Sequence, residues 1–258
     1  MKQIVILPIV IISLCFFPSL CLTAPEENLP DRVGQDQAAY EKLNDLIRQI
    51  RDGQIERVTA QKNMIQLLAE ARNIFYLSGG TDITPLGWYF PVAGLDIRSI
   101  QRGRKHGFID RGYDFYAGNR HKAHPSLDIF IRDRNHDGLN VKSGEPMQVI
   151  SMTAGIVIAI ENYWEPGSNL RGGKYLWVYD PGNDLLIYYA HNERLYVTVG
   201  NMVKPGDSLA TVGRSGYNAA KLRSPTHLHL TVLMINKGRM TPLNVYHNLI
   251  KAKVISNR

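Results

Sequence analysis

Four of the eight histidines in this 258-residue sequence sit where local pattern can aim them at one point. His227 and His229 lie in Thr226-His227-Leu228-His229-Leu230-Thr231-Val232-Leu233, an apolar and β-branched run that predicts a strand. The period of two puts both imidazoles on one face, about 7 Å apart along the strand, and turns Leu228 and Leu230 into a core. Two such imidazoles can share a metal site, one ligating the ion and the other acting on what the ion binds. His124-Pro125-Ser126-Leu127-Asp128 offers one nitrogen and one hard oxygen at the entrance to another apolar strand. Tyr188-Tyr189-Ala190-His191 delivers a further histidine at the end of a third. Taken alone, each piece is more often a solvated or structurally satisfied side chain. Taken together, two histidines and Asp128 complete the three protein ligands of a catalytic zinc, and two histidines remain for proton transfer.

These side chains need a β-rich frame. From Thr81 onward, strand-like runs at 88–92, 127–131, 148–160, 175–179, 185–189, 195–199, 208–212 and 229–234 are punctuated by Gly and Pro. Their spacing predicts a mainly β fold, an antiparallel β-sandwich or open barrel, as one domain over 82–250. Before it, Ala39, Leu43, Leu46, Ile47 and Ile50 recur at steps of three and four and stop at Asp52-Gly53. Val58, Met64, Leu67, Leu68, Ala71, Ile74 and Phe75 repeat that pattern up to Gly79-Gly80. An N-terminal α-helical hairpin over 32–78 is therefore expected, packed as structure on its neighbour.

The first 24 residues read as an export signal: Lys2 gives a positive start, Ile4 to Leu22 is largely apolar, and Pro25-Glu26-Glu27-Asn28 follows. An uncleaved anchor is the competing reading, and Pro18-Ser19-Leu20 ahead of Cys21 makes a poor lipidation site. Both cysteines, Cys15 and Cys21, fall in this segment, so the exported protein would carry no disulfide and, once the signal is removed, no stable membrane span. Without Lys2 the chain keeps a formal charge of +6, which suits an anionic partner such as a cell envelope. The basic and aromatic run Arg102, Arg104, Lys105, Tyr113, Phe115, Tyr116 and Arg120 could suggest nucleic acid, but export argues against it. A groove wall for an anionic glycan-peptide is the expectation instead.

In combination, Phe90-Pro91-Val92, His124-x-x-x-Asp128, Tyr189-Ala190-His191, Val203-Lys204-Pro205-Gly206-Asp207, Val212-Gly213-Arg214-Ser215-Gly216 and Pro225-Thr226-His227-Leu228-His229 resemble the lysostaphin-type zinc metallopeptidases, the LytM-domain peptidoglycan endopeptidases. The resemblance runs in order over roughly 88–235. It implies His124, Asp128 and His229 as zinc ligands and His191 and His227 as catalytic histidines. By the same resemblance the protein is expected to be a monomeric, secreted or periplasmic endopeptidase that cuts peptide cross-links in peptidoglycan. The alternative is a non-catalytic LytM-type module that binds cell wall or activates an amidase; such a module is expected to have lost ligands, and all five positions are filled here. A metallopeptidase of protein substrates is a third reading. Two features depart from the family: Pro125-Ser126-Leu127 stands where a glycine is common between the first His and the Asp, and the insert from Glu161 to Lys174 is long. No His-Glu-x-x-His helix is present, so proton handling and oxyanion stabilisation fall to His191 and His227 jointly.

Asp133, Asn135 and Asp137 form the front half of a calcium loop, but its twelfth position is Gly144, with Glu145 one residue late. A structural turn is favoured there over a calcium ion.

Overall fold

The computed structural model describes residues 29–120, 123–141 and 143–257; the expected export signal lies outside the described residues. Two helices, α1 (Leu29–Asp52) and α2 (Arg57–Leu77), form the N-terminal hairpin. Gly53, with φ of +69°, stops the first, and the Glu56 carboxylate caps the second by accepting from the Thr59 amide at 2.9 Å.

Nine strands follow: β1 (Ser126–Phe130), β2 (Gln148–Ile150), β3 (Gly155–Glu161), β4 (Lys174–Asp180), β5 (Leu185–Leu195), β6 (Met202–Val203), β7 (Ser208–Val212), β8 (His227–Asn236) and β9 (Arg239–Pro242). They make one open sheet whose main path is β1-β8-β5-β4-β3-β6, and every strand pairing in it is antiparallel. β9 extends the edge beside β1, and β7 joins the far end of β5 to β2. The mainly β, antiparallel and open architecture with a helical hairpin is the expected one. In detail, 88–92 is not a strand: Tyr89 and Val92 make only isolated bridges, to Lys253 and Val149. The run 148–160 is split into β2 and β3.

Both faces of the sheet are buried, because alternate residues feed two different cores. On one face Leu127, Ile129, Leu176, Val178, Ile187, Leu228 and Leu230 pack with Trp88 and Phe90. On the other, Ile156, Ile158, Trp177, Tyr179, Leu186 and Leu233 meet Leu43, Ile47, Ile50, Met64, Leu68 and Phe75 of the hairpin. An antiparallel sheet commonly leaves one face to water, and the hairpin is what covers that face here. The end of α1 is tied down by Arg51, whose guanidinium donates to Glu161 and to the Tyr175 hydroxyl, each at 2.9 Å. A turn of 3-10 helix, Phe115–Arg120, lies against that same end. At Gly118, φ is +57°, and a Cβ there would sit 2.4 Å from the Ile50 carbonyl oxygen. Only glycine allows the approach.

Candidate active site

Strand pairing brings the expected residues together. Asp128 of β1 lies opposite His229 of β8, which in turn lies opposite Ala190 of β5. Directly paired residues share a face, so Asp128, His229 and, two residues on, His227 project from the side that carries the hairpin farther along. By simple alternation His191, next to Ala190, would point the other way. A bulge prevents that. Lys174 of β4 pairs with Asn192 and Tyr175 with Ala190, so His191 is the extra residue of β5. Its φ of +67° is left-handed, an unfavourable region for a residue other than glycine, and it re-aims the imidazole toward the other histidines. The His191 and His227 rings are then 5.0 Å apart, and His191 and His229 5.3 Å.

The turn before β1 holds His124. Lys105 and His106 both adopt positive φ, His106 stacks on Tyr246 at 3.5 Å between ring centres, and the chain then offers the Gly107 carbonyl to His124 Nδ1 at 3.1 Å. Three of the four site histidines are fixed in this manner: His191 Nδ1 donates to the Ser215 carbonyl at 2.8 Å and His227 Nδ1 to the Pro225 carbonyl at 2.7 Å. A carbonyl only accepts, so each of these rings carries hydrogen on Nδ1 and, when neutral, keeps a lone pair on Nε2. The Val212-Gly213-Arg214-Ser215-Gly216 motif now has a physical reading. Arg214 grips the loop ahead of His227 through the Lys221 and Ser224 carbonyls and the Thr226 hydroxyl, Ser215 anchors His191, and a side chain at Gly216 would lie 2.7 Å from His191 Nδ1.

Asp128 is central. Its carboxylate lies 3.3 Å from His124 Nε2, 3.0 Å from His229 Nδ1 and 3.8 Å from His227 Nε2. Burial would raise its pKa, but hydrogen bonds from His124 and His229 and the nearby imidazoles outweigh burial and hold it well below the usual carboxylate range. Burial first, then His229 and His227, pushes His191 well below the ordinary histidine range; burial likewise lowers His229, against the pull of Asp128. His124 is raised, its burial being overcome by its hydrogen bond to Asp128.

Among the described residues, two sets of potential ligand atoms lie within 4.8 Å of one another, His124/Asp128/His229 and His191/His227/His229, sharing His229. Only the first contains a carboxylate. All five side chains line one cavity of about 330 Å³, and several residues assigned no site role from sequence line it too: Ile47, Ile50 and Arg51 of α1, Arg171 of the long insert, Trp177 and Tyr188. Tyr113 and Phe115 of the basic-aromatic run also reach this cavity, whereas Arg102 borders a separate groove. Asp133 takes no part. Its oxygens accept from the Asp137 and Gly138 amides and, at 2.6 Å, from the Thr226 hydroxyl, so the loop braces the entry to β8.

Residues 134–242 match the model of Peptidase family M23, a stretch that holds His191, His227 and His229 and begins after His124 and Asp128. The likeness to the lysostaphin-type, LytM-domain metallopeptidases stands on that match. Over 90 residues the chain is 30% identical to outer membrane antigenic lipoprotein B of Haemophilus influenzae, covering 35% of this chain and 21% of the relative, about a fifth of its length. Among solved structures, a lytM structure from Ruminococcus gnavus is 22% identical with a TM-score of 0.45, covering 88% of this chain and 89% of its own. A zinc containing peptidase from Vibrio cholerae is 21% identical with a TM-score of 0.38, covering 65% of this chain and 40% of its own. The catalytic domain of lysostaphin from Staphylococcus simulans is 19% identical with a TM-score of 0.37, covering 57% and 90%.

Proposed function

We propose that this protein is an exported zinc-dependent endopeptidase that hydrolyses peptide cross-links in peptidoglycan, with residues 1–24 as the export signal, 32–78 as the supporting hairpin and 82–250 as the peptidase domain. The observation that carries the reading is the convergence of His124, Asp128 and His229 on one point with His191 and His227 beside it. The donor set fits zinc: two imidazoles and an ionised carboxylate are N and O ligands of the kind zinc prefers, and three protein ligands leave a position open. His124 Nε2 and His229 Nδ1 both face Asp128, so their lone pairs and its oxygens aim at a common volume. When bound, the ion would polarise the scissile carbonyl and make water a better nucleophile.

The chain's own histidines would handle the proton. With Nδ1–H given to Pro225 and Ser215, His227 and His191 each have Nε2 left to accept a proton from the attacking water. Once protonated, the same nitrogen donates, to the oxyanion or to the leaving amine. The low pKa of His191 favours its starting neutral. Among the described residues no helix is long and apolar enough to cross a membrane. The filled ligand positions weigh against the non-catalytic module. Purified peptidoglycan should release muropeptides on incubation with the protein and not after chelation, and mass spectrometry of the fragments identifies the bond; intact peptidoglycan in both arms would refute the reading.

A further inference from the structure

Of the four site histidines, His229 alone is turned with Nδ1 toward Asp128, 3.0 Å from its carboxylate, and its outward Nε2 meets a side chain: Ser126 Oγ, at 2.7 Å. Ser126 Oγ in turn lies 2.6 Å from Thr231 Oγ1, and both hydroxyl residues are buried, at 1% and 4% exposure. The contact follows from strand register, since Ser126 pairs with Thr231 one same-face step from the Asp128–His229 pair. Ser126 also occupies the stretch between His124 and Asp128 where this sequence departs from the family's usual glycine.

We propose that Ser126 is a positioning residue that fixes the His229 ring and accommodates the tautomer in which Nδ1 is free to ligate. The proposal rests on the metallopeptidase reading. A hydroxyl, unlike a backbone carbonyl, both donates and accepts. Without an ion, the Asp128 carboxylate favours hydrogen on Nδ1, and Ser126 donates to Nε2. With an ion held by His124, Asp128 and His229, the hydrogen belongs on Nε2; Ser126 then accepts it and donates to Thr231. The ring is neutral in both states. Only the nitrogen that carries the hydrogen changes, and the two hydroxyls rotate to match. Outer partners of ligating histidines orient the ring and raise ligand affinity in this way.

The test compares zinc affinity of the purified protein, Ser126→Ala and Ser126→Thr, by competition with a chromophoric chelator. Histidine ¹⁵N shifts of the zinc-loaded parent are recorded alongside. Ser126→Ala should bind zinc roughly 10- to 100-fold more weakly, and Ser126→Thr, which keeps the hydroxyl, should recover most of that loss. The shifts should place hydrogen on His229 Nε2. An alanine variant within twofold of the parent, or hydrogen on Nδ1 in the loaded parent, overturns the proposal. If the alanine variant does not fold, Thr231→Val decides: several-fold weaker binding supports the relay, and unchanged binding overturns it. A parent that binds no zinc sinks the metallopeptidase reading, and this proposal with it, whereas a parent that binds normally beside an indifferent Ser126→Ala sinks the proposal alone.

Discussion

Ligand and proton carrier are different duties, and substitution should separate them. His124→Ala, Asp128→Ala and His229→Ala should each strip most of the zinc from the purified protein; full occupancy in any of them would remove that residue from the set. His227→Ala and His191→Ala should keep the metal yet lose on the order of 10²–10⁴ in turnover of cross-linked muropeptides. Their double substitution should cost far less than the product of the two losses, because both act on one transition state. The sign of the histidine titration is also fixed. His191 is lowered in the folded protein by burial first and by His229 and His227 next, so the unfolded chain takes a proton at that ring below about pH 6.5 while the folded one does not. The contribution to stability is thus present above that pH and shrinks as pH falls below it. An NMR titration of metal-free protein should find His191 still neutral at about pH 6; a midpoint at the ordinary value of about 6.5 would contradict this account.

Among the elements, β1 and β8 were legible from sequence as apolar strands, and with β8 the shared face of His227 and His229; that Asp128 joins that face depends on the pairing of β1 with β8. The placement of His191 was not. Alternation along Tyr188-Tyr189-Ala190-His191 turns it away from the site, and the bulge that reverses this depends on the register of β4 against β5, a non-local property. Ser126 carried a readable signal, two residues before Asp128 and so on the same strand face, but no motif assigned it a duty. The short strands β6 and β9 have too few residues to show a pattern. The hairpin was legible as two amphipathic helices, yet its contribution to the cavity through Ile47, Ile50 and Arg51 needed the packing of α1 on β3 and β4. Removing residues up to Ser78 would uncover Ile156, Ile158, Tyr179 and Leu186. At about 1.5–3 kcal/mol for each large buried apolar side chain, the truncated protein should be insoluble or markedly less stable in urea. A truncated protein that stays folded and turns over substrate sharply faster would instead make the hairpin an inhibitor.

For the molecule as a whole, removal of the proposed export signal would take both cysteines with it, and the two cores and the proposed ion would then hold the fold. A ligand that binds only the folded state adds about 2.7 kcal/mol at a concentration 100 times its dissociation constant. In a protein of this size, about 1 kcal/mol moves the melting temperature by roughly 2–4 °C. Zinc at that level should therefore raise the melting temperature by roughly 5–10 °C, and a chelator should return it; scanning calorimetry with and without metal measures the shift, and Asp128→Ala should abolish it.

The left-handed backbone at His191 bears on descent as well as on geometry. A non-glycine residue in that conformation costs on the order of 1–3 kcal/mol, and at this point of the sheet the conformation serves to aim the imidazole. A lineage that gave up hydrolysis would be free to relax the position, and glycine or asparagine, which enter this region readily, are the natural replacements. The bulge residue thus doubles as a record of use: among relatives, those with Gly or Asn at this point of the sheet should prove inactive on wall material even where every metal ligand survives.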